Sequence, residues 1–224
     1  MSATLISPPR TLNRSLGASI QQNIVCAVDE LLASLPDPKQ LSAERRRGII
    51  SRYTAVLEGN FIYWMTGAYL SVKTRPARLI ILENLREEVR DSHPEMLRRF
   101  AIAAGAEPTD SDSLPVRQEL RDVRLFVGRL SGARIVLMMG FFEGFIQKFM
   151  SFLAELAREQ GSSDLEYTDV HGVCDVGHTQ ELFHALAAEM EINPHEADTD
   201  LFEGVDLLRT LIQSILRGPA LEQN

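Results

Sequence analysis

The chain has 224 residues, of which 45% are hydrophobic and 24% charged, and its formal net charge is −8. That length suits one domain with a sizeable core, and the balance is that of an ordinary globular protein. The acidic charge excludes a general nucleic-acid binder, which needs a basic face to neutralise phosphates.

Apolar residues recur at helical spacing through most of the sequence, and alternating β-branched runs and hairpin turn signals are missing. A first helix is expected near residues 13–35, ended by Pro36 and Pro38. A second is expected as one piece over 42–72, with Ile49, Ile50, Val56, Leu57, Phe61 and Trp64 facing inward. A third starts after Thr74, with Pro76 in its first turn, and runs to about Arg90. Ser92-His93-Pro94-Glu95 has the form of a capping box that opens the next helix, which ends at Gly105. Residues 106–115 are polar and Pro-bearing, a surface loop. Helices follow over about 116–130 and 133–159. Ser163-Asp164-Leu165-Glu166 is a second capping box, opening a helix to about Glu191. Asn193-Pro194-His195-Glu196 opens the last helix, to about Leu216. Residues 1–224 thus read as a single all-α domain, with 1–12 and 218–224 as loose ends.

Two cysteines, Cys26 and Cys174, make no disulfide framework, and a reducing cytoplasm is the expected compartment. The stretch Met1 to Arg10 lacks a secretory pattern. The most apolar run, Ile135 to Phe142, stops at Glu143 and is too short to span a bilayer, so no membrane contact is expected.

In a helical bundle, cofactor sites are built from polar side chains that project from apolar faces. His171, Asp175 and His178 stand at i, i+4 and i+7, within about 60° of one another on a helix. Imidazole, carboxylate and imidazole on one stripe make a half-site for iron, manganese or zinc; the competing reading is a surface helix with two histidines. Glu143 lies in the apolar stretch Val136 to Ile146. A buried carboxylate there needs a cation or a donor, whereas a solvent stripe shared with Gln147 serves equally well on local evidence. Glu87 or Glu88 with His93 is a third candidate. Five residues turn about 140° on a straight helix, so Glu88 and His93 share a face only if the chain breaks near Ser92 and Pro94.

Other residues read as structural. Tyr53, Tyr63, Trp64 and Tyr69 are expected in the core or a pocket wall, and Arg45-Arg46-Arg47 on a solvated face. Glu58 is read as a pocket or surface residue, and His184 and His195 as peripheral. Cys174 is either a nucleophile or, more commonly, a buried free thiol.

Three segments together resemble the haem-oxygenase-like diiron oxidases. Asn84-Leu85-Arg86-Glu87-Glu88, followed by His93 and Gly105, is similar to that family's second core-helix signature. Glu143 resembles its third-helix glutamate, and His171-x3-Asp175-x2-His178 its last motif. The similarity covers about residues 45–190. It implies a seven-helix haem-oxygenase-like bundle that holds two irons through Glu88, His93, Glu143, His171, Asp175 and His178, with Glu88 and Glu143 closest to the chemistry. It also implies O2 as co-substrate, an external electron donor and a small-molecule substrate. A free amino acid or derivative is the first expectation, undergoing oxidative C–C cleavage, nitrile formation or N-oxidation. A fatty-acid-type decarboxylase, or a non-catalytic metal-binding or partner-binding scaffold, is the alternative. A homodimer is an open option. Two positions depart from the family pattern. The Glu88-to-His93 gap is short, and the extra glutamate of N-oxygenating members would fall near Ile62, a turn from Glu58.

Overall fold

The computed structural model describes residues 10–192 and 200–218. Ten α-helical segments are described among them: α1 (Arg10–Ala33), α2 (Ala43–Leu57), α3 (Asn60–Ser71), α4 (Arg75–Arg90), α5 (His93–Ala103), α6 (Asp110–Ser113), α7 (Arg117–Val127), α8 (Gly132–Glu159), α9 (Glu166–Ile192) and α10 (Glu203–Arg217). One of these, α6, is a single turn inside the expected 106–115 loop. The described residues contain no strand, and the class is all-α as expected.

The count exceeds the seven of the expected bundle: the segments laid out from the sequence already number eight, the expected 42–72 helix is two, and α6 adds a single turn. Gly59 takes φ +82, a left-handed conformation that glycine adopts without a Cβ clash, and it separates α2 from α3. Ser42 caps α2 by accepting from Arg45 N, and Thr74 caps α4 by accepting from Ala77 N. Neither expected capping box at Ser92 or Ser163 forms. Ser92 is itself left-handed with no side-chain cap bond, and α9 begins only at Glu166. The expected start of the last helix at Asn193, and His195 with it, lies outside the described residues; the described part begins at Glu203.

The core is organised around α8. It lies against α9 along much of its length and also touches α1, α2, α3 and α10. Among the described residues α8 is the one helix long and apolar enough to cross a membrane, and 78% of its apolar 18-residue stretch is buried in the fold, as befits a central core helix. Phe141, Phe142, Phe145 and Phe149 are all essentially fully buried on it.

Two polar clamps fix the helices that carry the candidate site. Glu189, 2% exposed near the end of α9, accepts from the backbone N–H groups of Lys73 and Thr74 and from the Thr74 hydroxyl. It pins the start of α4 to α9, and its negative charge lies at the helix N-terminus, where the macrodipole favours it. Arg46 is half-buried, not on a solvated face, because its guanidinium holds the Pro38 and Leu41 carbonyls. Tyr63 also departs from expectation. It is 43% exposed, because it lies on the outer side of α3 while Trp64 is fully buried.

Candidate metal centre

The last turn of α4 and the first of α5 meet at a sharp corner. Asp91 ends α4, and Ser92 with φ 57 and ψ 40 turns the chain into α5 at His93. The corner replaces the straight helix that would have set Glu88 and His93 on different faces. Both side chains are buried, Glu88 at 4% and His93 at 5% exposure, and His93 Nδ1 lies 2.8 Å from Glu88 Oε1.

His171 joins them from α9. Its Nδ1 lies 2.9 Å from the Tyr167 carbonyl, which can only accept, so the proton is on Nδ1 and the Nε2 lone pair is available. That Nε2 lies 4.0 Å from Glu88 Oε1. Burial is the main cause that lowers the His171 pKa from 6.5 to about 4, with His93 and His178 acting in the same direction. The Glu88 charge and the Tyr167 carbonyl oppose it. The imidazole is therefore neutral at pH 7, the form that ligates a metal without releasing a proton.

One ligand atom from each of Glu88, His93 and His171 lies within 4.8 Å of the others. Ligands about 2.1 Å from a common ion are spaced by about 3–4 Å, so these three need only small adjustments to hold one. Two imidazoles and a carboxylate are the donor set that suits iron.

A second group lies on the same helices. His178 Nε2 is 2.8 Å from Glu87 Oε2, and His178 Nδ1 is 3.9 Å from Glu143 Oε2. Glu143 is 2% exposed on α8, so it does not lie on a solvent stripe. The expected His171–Asp175–His178 stripe is thus divided between two groups of carboxylates. Seven residues rise about 10.5 Å along a helix, too far for both histidines to meet at one ion without a bend. Asp175 lies on α9 between them, and its side chain, like that of Cys174, lies outside the described residues. Glu58 stands apart at the end of α2, ion-paired with Arg98 on the surface, and His184 is exposed.

Glu88, His93, Glu143 and His171 line one cavity, whose remaining walls come from α2, α3, α5, α8 and α9. The Tyr167 ring packs on His171 with centroids 4.3 Å apart, and its hydroxyl meets that of Tyr53 at 2.9 Å. Tyr53 was legible as core. Tyr167 and the pairing of Glu87 with His178 were not singled out in the sequence. The one available signal for Tyr167 was its place four residues before His171.

A family model for an iron-containing redox enzyme matches residues 52–210, well over half of the chain. The chain belongs to that haem-oxygenase-like family, and is an iron-dependent oxidoreductase. A search of curated proteins finds no significant match.

Proposed function

We propose that the chain is a non-haem diiron oxidase or oxygenase that uses O2 to transform a small metabolite in the cytoplasm. The observation that supports it is the pair of carboxylate–histidine groups contributed by α4, α5, α8 and α9. Glu88, His93 and His171 would hold one iron. Glu143 and His178 would hold the second, with Glu87 beside them and Asp175 completing the set. Keeping a carboxylate as buried as Glu143 ionised is costly, and a bound cation would lower that cost.

Iron supplies the redox chemistry that activates O2 when it is bound. The chain's own residues set the conditions. The Tyr167 carbonyl fixes the tautomer of His171, and the Ser92 corner aims His93 at Glu88. Glu88 and Glu143, which line the cavity, would balance the charge of bound iron. The aromatic and aliphatic walls exclude water, which strengthens every electrostatic contact inside. An external donor supplies electrons, and a homodimer remains compatible with this reading.

Anaerobic loading with ferrous iron, followed by O2 exposure with a panel of amino acids and fatty acids, tests the reading. Stimulated O2 uptake with one class, and a product that carries its oxidised carbon or nitrogen, is expected. One tightly held zinc with no O2 uptake would remove it.

A further inference from the structure

Arg45, Arg46 and Arg47 stand in the first two turns of α2, where the positive end of the helix macrodipole disfavours cations. Arg46 is committed to the Pro38 and Leu41 carbonyls and to Gln160. Arg45 is exposed and makes no ion pair among the described residues. Gly48 and Arg52 follow it at i+3 and i+7, on the same face of α2.

Arg52 is 6% exposed, yet no carboxylate meets it at ion-pair distance among the described residues. Its Nε donates to the Ile215 carbonyl at 2.8 Å, near the end of α10, and that bond fixes the guanidinium. Nη1 and Nη2 have no acceptor among the described residues. Two glycines make room for them. A Cβ at Gly48 would stand 2.8 Å from Nη1, and one at Gly218 would stand 2.9 Å from Nη2. Burial lowers the Arg52 pKa, Asp112 raises it, and Arg45 and Arg47 lower it. Asp112 is itself committed. Its Oδ1 lies 3.7 Å from Arg47 Nη2, and its Oδ2 accepts from the Thr109 N–H and hydroxyl. A buried cation without a counter-ion is costly, and a bound anion offsets that cost.

We infer that Arg52, with Arg45 and Arg47, forms a site for a phosphate-type dianion where the start of α2 meets the end of α10. The ligand is inorganic phosphate or the phosphoryl group of a small metabolite. Arg52 offers its Nη1 and Nη2 hydrogens as the two-pronged donor that suits phosphate oxygens, and the Ile215 carbonyl holds that fork in place. Arg45 and Arg47 add charge beside it. Three guanidinium groups against one committed carboxylate suit a dianion better than a monoanion. None of the three arginines lines the cavity at the metal centre, so the site is separate from it and does not depend on the diiron reading.

The test is calorimetric titration of the iron-loaded chain with inorganic phosphate and with phenyl phosphate, in chloride buffer at constant ionic strength. One saturable site per chain is expected. Arg45→Gln removes an exposed charge, and Arg52→Lys keeps the charge but loses the fork. Each should weaken binding at least about tenfold. Arg86→Gln, which removes an exposed arginine on α4, should leave it unchanged. Tighter binding of phenyl phosphate assigns the site to a phosphorylated metabolite, and tighter binding of inorganic phosphate assigns it to the free ion. No saturable binding of either probe overturns the inference. So does wild-type affinity in Arg45→Gln, which would place the anion elsewhere, including at the metal. An equal loss in Arg86→Gln overturns it too, as an effect of overall charge. Arg45→Gln decides the case if Arg52→Lys does not fold.

Discussion

The Glu88 carboxylate meets the His93 imidazole at 2.8 Å across a corner of the chain, although five residues of straight helix would point them about 140° apart. The corner depends on Ser92 in a left-handed conformation, with φ 57. A left-handed L-residue is disfavoured by about 1–2 kcal/mol.

Ser92→Gly should therefore keep the corner and stabilise the metal-free protein by about 0.5–1 kcal/mol in denaturant unfolding. Ser92→Val should destabilise it and weaken iron binding, because a β-branched residue resists that conformation. A neutral Ser92→Val variant with wild-type iron affinity would show that the corner does not set the His93 position.

Glu143 is buried among phenylalanines and lies 3.9 Å from a histidine nitrogen. Glu143→Ala should abolish turnover and lower iron content, while the chelator-treated protein keeps or gains stability because a buried carboxylate is gone. Melting curves with and without iron, on wild type and variant, read this out. A variant with full iron content and full activity would contradict the role.

His171 gives a pH dependence with a definite sign. In the unfolded chain it takes up a proton near 6.5, and in the folded, metal-free chain only near 4, mainly because it is buried. Between those values the unfolded state binds more protons, so stability falls as pH falls. The contribution is complete above pH 6.5 and is lost as the pH drops towards 4. The denaturant midpoint of chelator-treated protein should decline across that window, and His171→Gln should decline less. Parallel declines would assign the effect to other groups.

Tyr53→Phe should cost about 1 kcal/mol through the lost hydroxyl contact with Tyr167. It should leave iron content unchanged, since the Tyr167 ring and carbonyl still hold His171. A loss of iron would place the Tyr53 hydroxyl in the support of the metal site itself.

Much of this arrangement was legible in the sequence. Thr74 announced the start of α4, and the apolar surroundings of Glu143 raised the question that its burial answers. The break between α2 and α3 was not legible, because Ile49 to Trp64 keeps a helical pattern through Glu58-Gly59 and a lone glycine is tolerated within helices. The division of His171 and His178 between two carboxylate groups was hidden too. Periodicity places residues on a face but does not say which partner helix reaches each level of it. Glu87 and Glu88 are neighbours that serve different histidines, a choice made by how α4 and α9 pack. The Glu189 clamp gave no local signal, since its partners, Lys73 and Thr74, are more than a hundred residues away in the chain.

The central claim is two irons held by separate groups on shared helices, and stepwise anaerobic ferrous titration with elemental analysis tests it most directly. The wild-type chain should bind close to two irons. His93→Ala should lose the iron at Glu88 and His171, His178→Ala the one at Glu143, and each variant should keep about one. A wild-type chain that saturates at a single metal, with both variants losing it together, would contradict the account.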